Sequence, residues 1–317
     1  MDLKYWQLEH NDIDDFKQNL SFDVDGFLIS GGKLKATRQI IQLSTMQIFY
    51  RMESAAMNIV CRNQQPIFMI GFPEVEMFVN GKSLTNDNIF LVTPGDILFT
   101  PMPENFSAYG LCFNEENVSR FLSDDLLLAM KRHADEVRTG KILLPYLNEF
   151  KAHFIKQFNA LKNVETNSDG LQFQKVEFDL LIKLAKLFQP LLSQKVKKEY
   201  KASSRQKIIS RAMDYLADRN KVNISVPELA QQCFCSTRSL EYTFKQFYKM
   251  PPVRFLNLRR LHLIRLDIKT HKFETLKMLN GYYGLSNAGR LSAEYFQLFG
   301  EYPRETWANH LKKEPSV

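Results

Sequence analysis

The chain lacks any apolar run approaching the roughly 18 residues that a membrane-crossing helix needs, so no such helix is expected. It is poor in cysteine, with only Cys61, Cys112, Cys233 and Cys235. Cys233 and Cys235 stand as a lone C-x-C without a second pair at zinc-site spacing, so all four read as reduced, small, mostly buried residues. Histidine is absent where a metal site would need it. The six histidines are His10, His133, His153, His262, His271 and His310, and none falls between residues 21 and 113. A barrel metalloenzyme needs several histidines and a carboxylate on one metal, so this strand-prone region has no metal set. No G-x-S-x-G, phosphate loop or dinucleotide fingerprint occurs, and Gly31-Gly32-Lys33 is too short to be more than a turn. No cofactor is expected, and a barrel enzyme is disfavoured. The start, Met1-Asp2-Leu3-Lys4, leads into acidic residues and not into a signal peptide, which predicts a cytoplasmic protein.

What the chain does have is an uneven positive charge. The 317 residues carry a formal net charge of +7. Residues 201–317 hold 20 Lys and Arg against 10 Asp and Glu, while residues 1–200 hold 22 against 25. A basic end joined to a near-neutral remainder suggests a polyanion-binding module attached to something else. The length suits two domains.

Residues 1–19 read as a polar lead-in. From Ser21 to about Phe113 the runs are short and β-prone, as in Gln39 to Leu43, Met46 to Tyr50 and Pro66 to Ile70. Asn80-Gly81 marks a hairpin turn, and Thr93-Pro94-Gly95 another turn. Many short strands at close spacing predict a sandwich or barrel. Its interior either holds a small ligand or is filled by its own Phe, Met and Ile side chains. From Val118 to about Ser193 helical spacing takes over, with Phe150, Phe154, Ile155 and Phe158, then Phe178, Leu181, Ile182, Ala185 and Phe188. The resulting division is a domain over residues 1–194, a lysine-rich linker over 195–204 and a second domain over 205–317.

The second domain contains one unit used twice. Leu240, Phe244, Phe247, Tyr248 and Pro252 recur 51 residues later as Leu291, Tyr295, Leu298, Phe299 and Pro303. In the first copy Ser225 suits a helix N-cap, and Glu228 completes a capping box. A turn at Cys233 to Ser236 follows, then a helix burying Leu240, Phe244 and Phe247. Helix, short turn, helix is a shape whose second member enters the DNA major groove. Between the copies runs a helix from Pro252 to about Thr270, roughly 28 Å at 1.5 Å per residue. It is long enough to hold two reading helices in successive grooves, about 34 Å apart.

Four segments carry a resemblance: Arg238 to Phe244, Met250 to Leu256, Gly289 to Tyr295 and Leu298 to Pro303. Through them residues from about 205 to 308, a third of the chain, resemble the DNA-binding domain of AraC/XylS-family transcription regulators. Phe78 to Pro103 is similar to the cupin-like barrels of the same family. The resemblance implies an α+β multidomain fold: an N-terminal cupin-like β-barrel with helices, and a C-terminal all-α domain of seven helices with two helix-turn-helix units. It implies a sequence-specific regulator, an activator working with RNA polymerase on double-stranded DNA, and no membrane association. It also implies an N-terminal domain that binds a small effector or forms a homodimer. A regulator without ligand, controlled by abundance or a protein partner, stays open. A barrel enzyme fused to a DNA-binding tail is a third reading, and sequence-neutral DNA packaging a fourth.

With Leu240, Phe244 and Phe247 inward, the outward residues of the first reading helix, about 237–248, are Thr237, Arg238, Glu241, Tyr242, Lys245 and Lys249. Arg can grip a guanine edge, Glu can accept from a cytosine amino group, and the two lysines suit phosphate. The family's base-facing positions match Arg238, Glu241 and Tyr242. On the second helix, about 288–299, the equivalent positions are Gly289, Ser292, Ala293 and Phe296. None is a long donor, so docking there is expected to rest on shape and backbone, with Asn287, Arg290 and Ser292 adding contacts. Phe234 stands in the first turn where the family commonly has Gly, as at Gly284. Either that turn is rearranged or the Phe is strained.

Overall fold

Strand alternation decides the first half of the molecule. The computed structural model describes residues 4–18, 23–85, 87–142, 144–163, 170–195, 203–285 and 288–311. They fall into two units: Met1–Asp25, Leu34–Ser54 and Ile59–Tyr200 in one, and Gly26–Lys33, Ala55–Asn58 and Lys201–Val317 in the other.

The strands are β1 (Lys4–His10), β2 (Asp23–Leu28), β3 (Ala36–Gln42), β4 (Met46–Glu53), β5 (Met57–Arg62), β6 (Ile67–Pro73), β7 (Met77–Val79), β8 (Lys82–Leu84), β9 (Phe90–Val92), β10 (Ile97–Met102) and β11 (Phe106–Asn114). Six form a sheet in the order β1-β3-β4-β11-β6-β9; three more pair as β10-β5-β2, and β7-β8 is a hairpin. Asn80 and Gly81 both take positive φ, 51° and 76°, as a tight two-residue hairpin requires. Residues read in sequence as a lead-in contain β1, an edge strand that sets Trp6 opposite Ile40. Its side chains are mostly exposed, so apolar alternation did not announce it; backbone pairing to β3 makes it a strand.

Side chains alternate across the sheet. Ile41, Ile48, Phe68, Ile70, Leu111 and Phe113 point to one face and are buried there in a common core with Leu127, Met130, Phe150, Phe154, Phe158 and Leu184. Those partners come from α3 (Asp124–Arg138), α4 (Leu147–Lys162) and α5 (Gly170–Phe188), which follow α1 (Ile13–Gln18) and α2 (Glu115–Val118) in the chain. On α5 the buried residues include Phe173, Leu180, Leu181, Leu184, Leu187 and Phe188, while Phe178 and Ile182 are about half exposed. Opposite a polar stripe of Lys175, Asp179, Lys183 and Lys186, apolar residues cover well over half of the helix, so spacing alone could not choose its inner face.

The C-terminal part holds seven helices among its described residues: α6 (Ser204–Leu216), α7 (Val226–Gln232), α8 (Thr237–Tyr248), α9 (Pro252–Lys269), α10 (Leu276–Tyr282), α11 (Ala288–Phe299) and α12 (Pro303–Leu311). The capping box of Ser225 and Glu228 opens α7, and Pro252 is the first residue of α9. One end of α9 packs Phe255 on Phe244 and Tyr248, with ring centroids 5.1 and 4.8 Å apart. Towards its other end the guanidinium of Arg265 lies 4.8 Å from the Phe299 ring, and Asp267 accepts the Tyr283 hydroxyl at 2.8 Å. A single helix thereby braces both copies.

Candidate nucleic-acid interface and barrel cavity

α8 and α11 are offset by 51 residues at both ends, but α7 and α10 by 50. The extra residue lies between Gly284 and α11. The two turns are built alike. Cys235 N–H donates to Ala230 O and Phe234 N–H to Gln231 O; fifty residues on, Leu285 N–H donates to Asn280 O and Gly284 N–H to Gly281 O. This is the Schellman pattern, with the αL position at Phe234 in one copy and Gly284 in the other. Their φ values are 53° and 60°. The first turn is not rearranged, and Phe234 carries the strain. Its ring is 83% exposed, with the Arg211 guanidinium carbon 5.1 Å from the centroid. The same asymmetry recurs at the end of the reading helices, where Lys249 (φ 57°) matches Gly300 (φ 69°).

Ser236 caps α8, its hydroxyl accepting from Ser239 N–H at 3.1 Å. Leu240, Phe244 and Phe247 are buried. Thr237, Arg238, Glu241, Tyr242 and Lys245 are exposed on the helix, and Lys249 is exposed just past its end. The guanidinium of Arg238 lies 5.7 Å from the Tyr242 ring centre, so these two side chains share one place on the surface. On α11, Arg290 is exposed and pairs with Glu294 at 2.9 Å, while Ser292 is half-buried. Asn287 lies outside the described residues.

Two basic residues of α9 are turned inward. Arg259 is buried and donates to Leu216 O, Asp218 O and Lys221 O, closing the exposed carbonyl end of α6. Arg265 pairs with Glu301 at 2.9 Å. Their charge is used in holding the domain together. Position in sequence did not reveal this, because the carbonyls that Arg259 serves and the carboxylate that Arg265 meets lie 36 to 43 residues away in the chain.

The first unit holds an open cavity. It lies between the sheets, on the face of the six-stranded sheet turned away from the helices. Ile40, Phe49, Met69, Phe90, Met102 and Phe106 supply apolar lining, and Gln47, Thr100, Arg38 and Arg51 the polar part. Gly110 lets the Phe49 ring lie against β11, since a Cβ there would collide with that ring. Among the described residues no group of three or more His, Cys, Asp or Glu is placed to hold a metal ion, and no helix is long and apolar enough to cross a membrane.

Two matching helix-turn-helix units on a common bracing helix define a double helix-turn-helix domain. No family model matches the chain. One stretch of 105 residues, 32% of this chain, is 28% identical to the XylDLEGF operon transcriptional activator 2 of Pseudomonas putida and covers 67% of that protein. A stretch of 106 residues is 29% identical to XylDLEGF operon transcriptional activator 1 of the same organism, spanning 33% of each chain. This chain thus matches only about a third of the length of that second relative. Among solved structures, the AraC-like transcriptional activator CuxR aligns over 83% of this chain and 96% of its own, at 12% identity and a TM-score of 0.46. The matched stretch and the paired units make the C-terminal part of the chain similar to these transcriptional activators.

Proposed function

We propose that this chain is a sequence-specific transcription regulator whose α8 and α11 enter successive major grooves of double-stranded DNA. The observation that carries the reading is the face of α8. Thr237, Arg238, Glu241, Tyr242 and Lys245 stand exposed at the start and along one side of a capped helix whose other side is buried. Such a helix presents base-reading groups from its N-terminal part and cations for phosphate further along. Lys249, at the helix end, suits phosphate. On α11 the contributions of Arg290, Ser292 and Asn287 are secondary, and Arg290 is already engaged by Glu294. Residues 1–194 act as the sensing part, 195–204 as the linker and 205–317 as the DNA-binding part. RNA polymerase is the expected partner in activation, a homodimer is a further expectation, and the cytoplasm is the expected place of work. The matched relatives are transcription regulators, which leaves an enzyme reading without support.

The test is selection of random duplex DNA by the full-length protein at physiological salt, because such affinity depends on salt. The expected motif has two elements about 10 base pairs apart, one of them sharply defined. An unenriched pool, with and without added metabolites, defeats the reading. Arg238→Ala should erase more sequence preference than Arg290→Ala; equal losses refute the asymmetry.

The second reading, a regulator without ligand controlled by abundance or a protein partner, is disfavoured by the cavity. A metabolite that raises the melting temperature of the full chain supports the sensor, since a ligand that binds only the native state stabilises it.

A further inference from the structure

Phe234 holds a left-handed backbone conformation, φ 53°, that is unfavourable for any residue with a Cβ. The turn itself does not ask for a side chain there. In the second unit Gly284 closes the same hydrogen bonds at φ 60°. Packing does not offset the strain either, since Phe234 is 83% exposed. Its ring meets the guanidinium of Arg211, 5.1 Å from the centroid. A cation over an exposed ring returns no more than the left-handed backbone costs. Backbone strain of this kind, kept where a glycine would relieve it, is concentrated at sites that bind or react.

Position and chemistry say what the ring would bind. Phe234 stands two residues before Ser236, the N-cap of α8. Arg211, on α6, lies beside that same end of α8, its Nη1 donating to Cys233 O at 3.4 Å. Arg205, earlier on α6, donates to Gln246 near the far end of α8 at 2.6 Å. α6 therefore runs along α8 in the opposite sense and delivers Arg211 to its N-terminal end. Arg211 is exposed. The surface just ahead of Thr237 and Arg238 thus offers a cation and an apolar ring side by side. Duplex DNA offers the complement at every nucleotide, a phosphate next to the apolar edge of a deoxyribose.

We propose that Phe234 and Arg211 form a clamp on the DNA backbone, the Phe234 ring packing on a deoxyribose and Arg211 pairing with the neighbouring phosphate. This rests on the DNA reading of α8 and adds to it two residues that set the register of the helix in its groove. Contacts to sugar and phosphate position a protein without reading sequence, so the clamp should act on every duplex alike. It belongs to the first unit, because Gly284 has no side chain to offer at the matching place.

The experiment is fluorescence-anisotropy titration of the full-length protein and its variants with two duplexes, the one enriched by the wild type and a scramble of it, at several salt concentrations. Phe234→Gly should bind both duplexes about tenfold more weakly, the worth of burying most of a Phe side chain, with its salt slope unchanged. Phe234→Tyr, which keeps the ring, should stay within about threefold of wild type. Arg211→Ala should weaken both duplexes and make the salt slope shallower by about one, as loss of one phosphate contact does. Phe234→Ala should bind as weakly as Phe234→Gly although it is the less stable of the two, with melting curves separating folding from binding. Phe234→Gly binding like wild type overturns the clamp and leaves the ring to a protein partner. A loss confined to the enriched duplex overturns the backbone assignment, because the ring then reads a base. Affinity that follows melting temperature across the Gly and Ala variants overturns it too, since the ring then acts only through folding. An unenriched pool defeats the reading of α8 itself and the clamp with it, whereas an enriched pool with Phe234→Gly unaffected defeats the clamp alone.

Discussion

Phe234 and Gly284 hold the same left-handed backbone conformation, fifty residues apart, in two turns with the same hydrogen bonds. Glycine enters that region freely; for other L-residues it costs about 1–2 kcal/mol. Phe234→Gly should therefore be more stable than Phe234→Ala by about 1 kcal/mol, both having lost the ring beside Arg211. Gly284→Ala should cost about as much, since its new Cβ would also stand 3.4 Å from the Asn223 amide nitrogen. Urea denaturation midpoints decide this, and equal midpoints for the two Phe234 variants would remove the strain.

Arg259 should be intolerant of its nominal equivalent. Its fork serves three carbonyls at once, at 2.7 Å to Lys221 O, 2.9 Å to Asp218 O and 2.5 Å to Leu216 O. An ammonium cannot reproduce that planar geometry. Arg259→Ala should lose about 3 kcal/mol or more, and Arg259→Lys a substantial part of it, because buried carbonyls lose their donors. If Arg259→Lys melts like wild type, the fork is dispensable.

The thiols should separate by burial. Burial pushes Cys112 up to about 12 and Cys233 up to about 11, the latter aided by Cys235. Cys235, also raised, is the partly exposed one. Iodoacetamide at pH 8 should label Cys235 first and Cys112 and Cys233 only on unfolding, as read by mass spectrometry. A linked pH effect follows. Below the ordinary thiol value of 9.0 both native and unfolded chains keep the Cys112 proton. Between there and about 12 only the unfolded chain gives it up, so this thiol's contribution lowers stability as pH rises. Cys112→Ala should decline less steeply than wild type from pH 9 to 11.

On α8 the arginine and the lysine should fail differently. Arg238→Ala should cost about 1–3 kcal/mol of discrimination at one base position, and Tyr242→Ala should disturb that same position because the two side chains meet. Lys245→Ala should weaken all sequences alike and reduce the salt slope by about one. Binding isotherms on the selected and scrambled sites at two or more salt concentrations separate the two behaviours.

Much of the C-terminal half was legible because its signals are local. A capping box at Ser225 and Glu228, apolar spacing through Leu240, Phe244 and Phe247, and a proline at 252 each act within one or two turns. The bounds of α8 and α11 follow from them. The Asn80-Gly81 hairpin was legible for the same reason. By contrast β1 has little apolar alternation, and only pairing to β3 makes it a strand. The inner face of α5 was hidden because its apolar residues cover well over half of the helix.

By its own local chemistry, then, the sequence determined the repeated helical unit, its caps, the outward stripe from Thr237 to Lys245 and the excess of positive charge over residues 201–317. Tertiary structure decided which of those charges are free to meet a partner. Arg259 and Arg265 are taken up inside the domain, Arg238 shares its place with Tyr242, and Arg290 answers Glu294. It also decided that Arg38 and Arg51, thirteen residues apart along the chain, face one another inside the barrel. Strand register is set by long-range pairing and packing, and no short window of sequence contains it.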